Sequence, residues 1–559
     1  MKQFKSILLI KLPYCSHPEA FSGAENFMTK SPFRPVPSLA LASLCAFIER
    51  YKKFDYNLKA VDLNIEGYAE PGMPVDTTVY EGLLKGCIES NEYDVLCLST
   101  MFVFNVKWVD AAVRFSKKLH PEAKIIIGGG YPTLFPERCL EEHGIDTVVI
   151  GEGEAVFLHI LNRYNNYHDP EFEKRFTFEG YGTMDENGKI VISKQRRCFI
   201  DLGDLPIPAW NYLNVEKYFR TSGDKVLPIE GSRGCPYCCS YCCTYISWGR
   251  QVRYKPVERL IAEISEMKKR YRVDALHFVD DNLSFDKDWI KEFLRRIISM
   301  KLPLKFTASN FSSKNLDGEI IDLLVKTGMD RFSIAVESGC PEMQKRINKN
   351  LNLEKIREMV KQLKARKLYI HLCWMIGFPN ETMEQINRTF NFARELRAHS
   401  NQFLTVLPYP GTQLFDEAKS AGLLVFQDDE LDKFDNRRCD YLKSDEWNYD
   451  KLQKMIYDIN IELNFLNNIS LDTEEGMDYM LGFLENLMLR LPEHIVARII
   501  IGYIYKKKNN MAKHEEYYNS ARSLFKEKKL SETFSRYLSW KHPIVEDFNR
   551  YLETKGEQR

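Results

Sequence analysis

Three cysteines, Cys235, Cys239 and Cys242, stand in the run Gly231-Ser232-Arg233-Gly234-Cys235-Pro236-Tyr237-Cys238-Cys239-Ser240-Tyr241-Cys242 with the spacing C-x3-C-x2-C. Thiolates are the usual ligands of iron–sulfur clusters. Three of them this close can hold three irons of a four-iron, four-sulfur (4Fe–4S) cluster and leave the fourth iron without a protein ligand. A fully ligated cluster moves electrons, whereas an open iron can bind and reduce another molecule. The same run holds two C-x2-C pairs, Cys235 with Cys238 and Cys239 with Cys242. Four thiolates could therefore close a tetrahedral zinc site, with Cys243 standing in for one of them. By spacing alone both readings stand.

The flanks weigh against zinc. Arg233-Gly234-Cys235-Pro236-Tyr237 before the trio and Tyr241 just before its last member resemble the cluster loop of the radical S-adenosylmethionine (SAM) superfamily. The resemblance implies that Cys235, Cys239 and Cys242 hold the cluster, with Cys238 and Cys243 as bystanders. It also implies that SAM chelates the open iron through its amino and carboxylate groups. Electron transfer into the sulfonium then breaks a C–S bond and gives a 5′-deoxyadenosyl radical.

Such a loop has to be positioned by regular elements. From Val226 to about Gly422 short β-rich runs alternate with amphipathic helices. Strands are expected at Val226–Glu230, Ala275–Val279, Lys305–Ser309, Arg331–Val336, Tyr369–Ile376 and Phe403–Leu407. Between them, Pro256–Arg270 places Val257, Leu260, Ile261, Ile264 and Met267 on one helical face. Six βα units make a partial parallel (β/α)6 barrel, whose site lies at the carboxyl ends of the strands. The cysteines directly follow the first of these strands. Asp280-Asp281-Asn282 follows the second, Glu337-Ser338-Gly339 the fourth, Gly377-Phe378-Pro379-Asn380-Glu381-Thr382 the fifth and Pro408-Tyr409-Pro410-Gly411-Thr412 the sixth. Taken singly, each is a turn with solvated carboxylates. In this order they are similar to the superfamily's landmarks, which implies SAM contacts for Tyr241, Asp280, Asp281, Glu337 and Ser338. Asn310 stands where relatives often carry Arg, and Asn380 where they carry Gly.

The first 165 residues alternate likewise. Expected strands are Ile7–Leu12, Leu58–Leu63, Val95–Thr100, Lys124–Ile127 and Thr147–Ile150, apolar enough to be covered on both faces. They point to a Rossmann-like, doubly wound sheet with ligands beyond the carboxyl ends of its strands. Pro37-Ser38-Leu39-Ala40-Leu41, Asp94–Thr100, Gly128-Gly129-Gly130-Tyr131-Pro132-Thr133 and Gly151-Glu152-Gly153-Glu154 occur in that order. Together they resemble the cobalamin-binding domain that precedes many radical SAM domains. That implies cobalamin contacts for Ser99, Gly128, Gly129, Gly130, Thr133, Gly151 and Glu152. The D-x-H-x-x-G motif of methionine-synthase-type domains is absent, and His17 reads as an ordinary loop histidine.

Residues 166–225 read as a linker with a hairpin at Asn187-Gly188, followed by the rigid Asp204-Leu205-Pro206-Ile207-Pro208. Residues 226–435 form the barrel and 436–559 a helical extension, in which Pro492–Phe525 loosely resembles one tetratricopeptide hairpin. A single such unit makes no solenoid. No second cysteine cluster occurs, Cys340, Cys373 and Cys439 being isolated, which argues against an auxiliary cluster.

The chain of 559 residues is too long for one core. Lys plus Arg and Asp plus Glu both number 78, a balance that favours no nucleic-acid or anionic-membrane partner. Fourteen cysteines without a disulfide-framework pattern suit a reducing cytoplasm. No apolar run is long enough for membrane insertion.

The combined resemblance, to class B methyltransferases and to the anaerobic cyclase of bacteriochlorophyll synthesis, implies an oxygen-sensitive enzyme. Its expected reaction is cobalamin-dependent methyl transfer to an unactivated carbon. Radical cyclisation, other oxidative rearrangement, or a non-catalytic cluster-bearing sensor are the alternatives. Methylthiolation of tRNA is disfavoured, since neither extra N-terminal cluster cysteines nor a basic tail is present. A small-molecule or peptide substrate and an electron donor such as flavodoxin or ferredoxin are the expected partners.

Overall fold

Apolar runs that can be buried on both faces pair first. A computed structural model of the protein describes residues 3–14, 36–68, 78–176, 178–193, 199–308, 311–426, 430, 440–526 and 536–556. Strands β1 (Ser6–Lys11), β2 (Asn57–Asp62), β3 (Val95–Ser99), β4 (Lys124–Gly128) and β5 (Thr147–Val149) are joined by parallel ladders. Their order is 2-1-3-4-5, so the chain reverses direction of travel across the sheet between β1 and β3. In sheets of this order ligands bind beyond the strands' carboxyl ends at such a switch point. Leu8, Ile10, Leu96, Leu98, Ile125 and Ile127 fill the core of this sheet together with Trp108.

The hairpin expected in the linker is present but belongs to this sheet. β6 (Tyr181–Met184) pairs antiparallel with β5, and β7 (Ile190–Ile192) with β6, extending the sheet to seven strands. Its loop is longer than a two-residue turn. The Asp185 carboxylate accepts from the amides of Asn187 and Lys189, both at 2.9 Å, and Gly188 takes φ +76°.

The catalytic half contains the expected parallel strands. β8 (Val226–Ile229), β11 (Ala275–Phe278) and β12 (Lys305–Ala308) form one sheet of order 12-11-8, and β9 (Ser232–Arg233) pairs antiparallel with β10 (Arg253–Tyr254). β13 (Arg331–Glu337), β14 (Tyr369–Ile376) and β15 (Ser400–Thr405) form a second parallel sheet. The six strands are thus two three-stranded sheets rather than one continuous one among the described residues. Each lies in its own compact unit. The first unit comprises residues 1–330, 347–349 and 407–443, and the second comprises 331–346, 350–406 and 444–559.

β15 begins three residues before the expected apolar run, because polar side chains at its start are satisfied from neighbouring elements. Trp374 Nε1 donates to the Asn401 side chain at 3.0 Å, and Asn464 donates to the Asn401 carbonyl at 2.7 Å. The C-terminal segment is helical. Helices Ile495–Lys507 and Met511–Phe525 cross closely at Gly502, where an added Cβ would stand 2.3 Å from the Tyr518 ring. No described helix is long and apolar enough to cross a membrane.

Candidate active site

β8 ends at Ile229, and two residues later the short β9 leads into the cysteine loop. Gly234, between β9 and Cys235, takes φ +96°, and a Cβ there would stand 2.3 Å from the Gln251 carbonyl, so only glycine fits this entrance. The loop is anchored further along by Ser240, whose amide donates to Ile347 O at 3.0 Å and whose carbonyl accepts from Leu414 N at 2.9 Å.

Cys235, Cys239 and Cys242 are half-buried. Burial pushes the Cys235 thiol up to about 11, and the proximity of Cys242, Asp281 and Cys239 adds to the shift. A cation bound among these thiols would reverse that balance by stabilising the thiolates. Cys238 is exposed and directs its Sγ toward its own loop at Pro236 O, 3.9 Å away. Cys243 is pushed up to about 11 by burial, with Cys242 as its nearest thiol. Cys239 and Cys242 are thus close enough to Cys235 to act on its thiol, although among the described residues no three metal-ligating side chains are assembled into a site. Half-buried Tyr241 stands beside the last thiol.

The triplet after β11 packs on this loop. Asp280 is buried and accepts from Gly231 N at 3.1 Å and from Ser232 Oγ at 2.6 Å, with a further bond from Ser232 N. Burial raises its carboxyl to about 7. These bonds tie the carboxylate to the β8–β9 connection. Asp281 is less enclosed. It accepts from Thr244 Oγ1 at 3.2 Å and is raised to about 6, chiefly by burial. Asn282, 1% exposed, directs Nδ2 to Cys235 Sγ at 4.0 Å, while its Oδ1 is buried without a hydrogen-bond partner.

In the second unit the Glu337-Ser338 turn is tightly built. β13 carries a bulge at Ala335/Glu337, and Glu337 has φ +70°, a conformation L-residues hold only when their surroundings enforce it. Gln344 supplies that enforcement by donating to Val336 O and Ser338 O at 2.8 and 2.6 Å. Ser338 Oγ lies 3.0 Å from Thr389 Oγ1. A Cβ on Gly339 would stand 2.5 Å from that of Phe392. At the end of β14, Glu381 is fully buried and accepts from Gly377 N at 2.7 Å and Phe378 N at 3.1 Å. Asn380 adopts φ +55°, which explains why Asn serves there in place of Gly.

At the carboxyl ends of β3, β4 and β5 the loops are pinned to one another. Ser99 O accepts from Leu12 N at 3.1 Å. Thr133 Oγ1 donates to Gly129 O at 2.6 Å and accepts from Gly151 N at 3.0 Å. A Cβ at Gly129 would fall 2.0 Å from Thr100 O, and one at Gly130 2.2 Å from Met101 O. These two glycines let the β4 loop approach the β3 loop. Gly128 has no such constraint, its Cβ position lying 3.6 Å from the nearest atom. Glu152 belongs to the same loop as Gly151. It is buried, with its carboxylate taken by Arg253 and Arg233. Beside this framework Met101, at the end of β3, is 60% exposed. Asn310, Ser309, His17 and Cys439 lie outside the described residues.

Family comparison decides what this arrangement is. Residues 229–393 match the radical SAM superfamily, and residues 35–161 match the B12 binding domain. The chain carries a B12-binding domain followed by a radical SAM domain. It is 28% identical over 428 residues to cytidylyl-2-hydroxyethylphosphonate methyltransferase of Streptomyces wedmorensis, covering 69% of this chain and 78% of the relative. It is 24% identical over 311 residues to anaerobic magnesium-protoporphyrin IX monomethyl ester cyclase of Rubrivivax gelatinosus, about half of either chain (55% of each). The structure of the cobalamin-dependent radical enzyme OxsB matches with a TM-score of 0.60 and 14% identity, over 98% of this chain and 84% of that one, which establishes the likeness of fold.

Within the radical SAM domain the Asp281 carboxylate acts on the Cys235 thiol, and Asn282 beside that thiol keeps a buried oxygen without a hydrogen-bond partner. Within the B12-binding domain, the exposed Met101 just beyond β3 offers apolar surface at the carboxyl ends of the strands. The loop-bracing roles of Asn282, Arg233 and Glu381 were not legible beforehand. Asn282 and Glu381 sat inside motifs already assigned to turns, and Arg233 meets Glu154 across 79 positions of sequence.

Proposed function

We propose that this protein is a cobalamin-dependent radical SAM enzyme that transfers a methyl group to an unactivated carbon of a small molecule. The spacing of Cys235, Cys239 and Cys242 in the loop behind β8, downstream of a B12-binding domain, is the observation that supports this reading most strongly. The cluster supplies an electron to the SAM sulfonium, SAM the hydrogen-abstracting radical, and cobalamin the methyl group.

The chain's own residues do the positioning. The three cysteines hold the cluster, and Asn282 directs an N–H at the Cys235 sulfur. Asp281 and Glu337 offer carboxylates for an ammonium or for ribose hydroxyls. Asp280 and Glu381 hold their loops in shape without facing the ligand. Gly128, Thr133, Gly151 and Ser99 shape the site for the corrin. A methyltransferase relative matched over more than two thirds of both chains favours methyl transfer over ring closure. A soluble electron carrier of low potential, flavodoxin or ferredoxin, completes the system.

The test is anaerobic reconstitution with iron, sulfide and hydroxocobalamin, then gel filtration and incubation with SAM and dithionite. Release of 5′-deoxyadenosine, together with a corrin absorption band that survives gel filtration, is the expected result. A single zinc ion bound by four sulfurs would overturn the proposal.

A further inference from the structure

Arg233 lies on β9, two positions before the first clustered cysteine, and is only 4% exposed. Three carboxylates surround its guanidinium: Glu154 Oε1 at 2.7 Å from Nη2, Glu230 Oε2 at 2.8 Å from Nε, and Glu152 Oε2 at 3.3 Å from Nη1. Trp248, on the helix that follows the cysteine loop, covers it at 4.9 Å. The neighbouring strand places Arg253 opposite Arg233 in the β9–β10 ladder, and Arg253 grips Glu152 as well. Glu152 and Glu154 both come from Gly151-Glu152-Gly153-Glu154, the loop at the end of β5 whose Gly151 amide is tied to Thr133. One buried network therefore joins these loops of the first sheet to the strand that carries the cysteines.

Building on the function proposed above, we propose that Arg233 is a positioning residue. Its guanidinium locks the Glu152–Glu154 loop onto β9 and so fixes the corrin site in register with the cluster site. The chemistry favours this over a purely stabilising role. A buried ion pair adds little net stability compared with an apolar replacement, whereas a fork of donors held by several carboxylates selects one arrangement. Lysine could supply the charge but could not reach Glu154, Glu230 and Glu152 at once. Methyl transfer from cobalamin to a substrate activated at the cluster site would need the two sites held at a set separation, since small misplacements cost large factors in rate.

Two measurements test the idea. The first is hydrogen exchange on the cofactor-free chain carrying Arg233→Met or Arg233→Lys. Segments 150–157 and 230–238 should lose protection together, by about tenfold or more, while β1 and β3 keep theirs. Unchanged protection in either segment would overturn the clamp, whether or not the enzyme reading is right. The second is pulsed electron paramagnetic resonance of the loaded protein, reading the spin–spin interaction between Co(II) and the reduced cluster. Arg233→Lys should retain both cofactors yet broaden or weaken that interaction. An interaction indistinguishable from that of the unsubstituted protein would overturn the positioning role.

Discussion

Cys238 and Cys239 are neighbours in sequence with opposite surroundings. Cys238 is exposed and directed at Pro236 O, whereas Cys239, like Cys242, is close enough to Cys235 to act on its thiol. Cys238→Ala should therefore leave iron and sulfide content unchanged, and Cys239→Ala should abolish the cluster's absorption. Loss of iron in Cys238→Ala would return the closed four-thiolate site to consideration. Asn282 acts more subtly, because a hydrogen bond to a ligand sulfur favours the reduced, more negative cluster. Asn282→Leu should lower the reduction potential by about 40 mV, the one-electron equivalent of roughly 1 kcal/mol for a lost hydrogen bond. A potentiometric titration followed by electron paramagnetic resonance measures this, and an unchanged or raised potential would contradict the contact.

At the scale of elements, the loops are held by buried carboxylates whose charge is costly. Burial raises Glu381 from 4.5 to about 7, and one of its oxygens has no hydrogen-bond partner. The native state thus binds a proton more tightly than the unfolded chain. Stability from this group is greatest below about pH 4.5 and declines as pH rises to about 7. Glu381→Gln can keep the bonds from Gly377 and Phe378 while losing the titration. Its stability relative to the unsubstituted protein should improve between pH 5 and 8, by up to roughly 3 kcal/mol. Denaturation curves at several pH values will check this, and a pH-independent difference would refute it. Strand positions were legible because β1, β3 and β4 centre on unbroken apolar runs, while β11 and β14 are interrupted only by His277 and His371. The start of β15 was not, since Ser400, Asn401 and Gln402 look like loop residues until Trp374 and Asn464 supply their partners. The cysteine trio was readable from spacing. The partners of Glu152 were not legible, because Arg233 and Arg253 lie in β9 and β10, remote in sequence.

For the molecule as a whole, the division into two compact units limits what a ligand at the switch point can protect. Hydroxocobalamin at a hundredfold excess over its Kd adds about 2.7 kcal/mol to the stability of whatever it binds. Hydrogen exchange should show that gain in segments 98–103, 128–133 and 150–154, and little change in helices Ile495–Lys507 and Met511–Phe525. Uniform protection, or none in these loops, would count against corrin binding there. The hairpin β6–β7 has a consequence of another kind. A sheet ending at β5 would offer a bare row of amides and carbonyls, an invitation for a strand from another copy to add on. Here the outermost strand on that side is only three residues long, and on the opposite margin β2 exposes Asn57 and Lys59. Both borders are thus poor templates for fibre growth, which favours staying dispersed at high concentration.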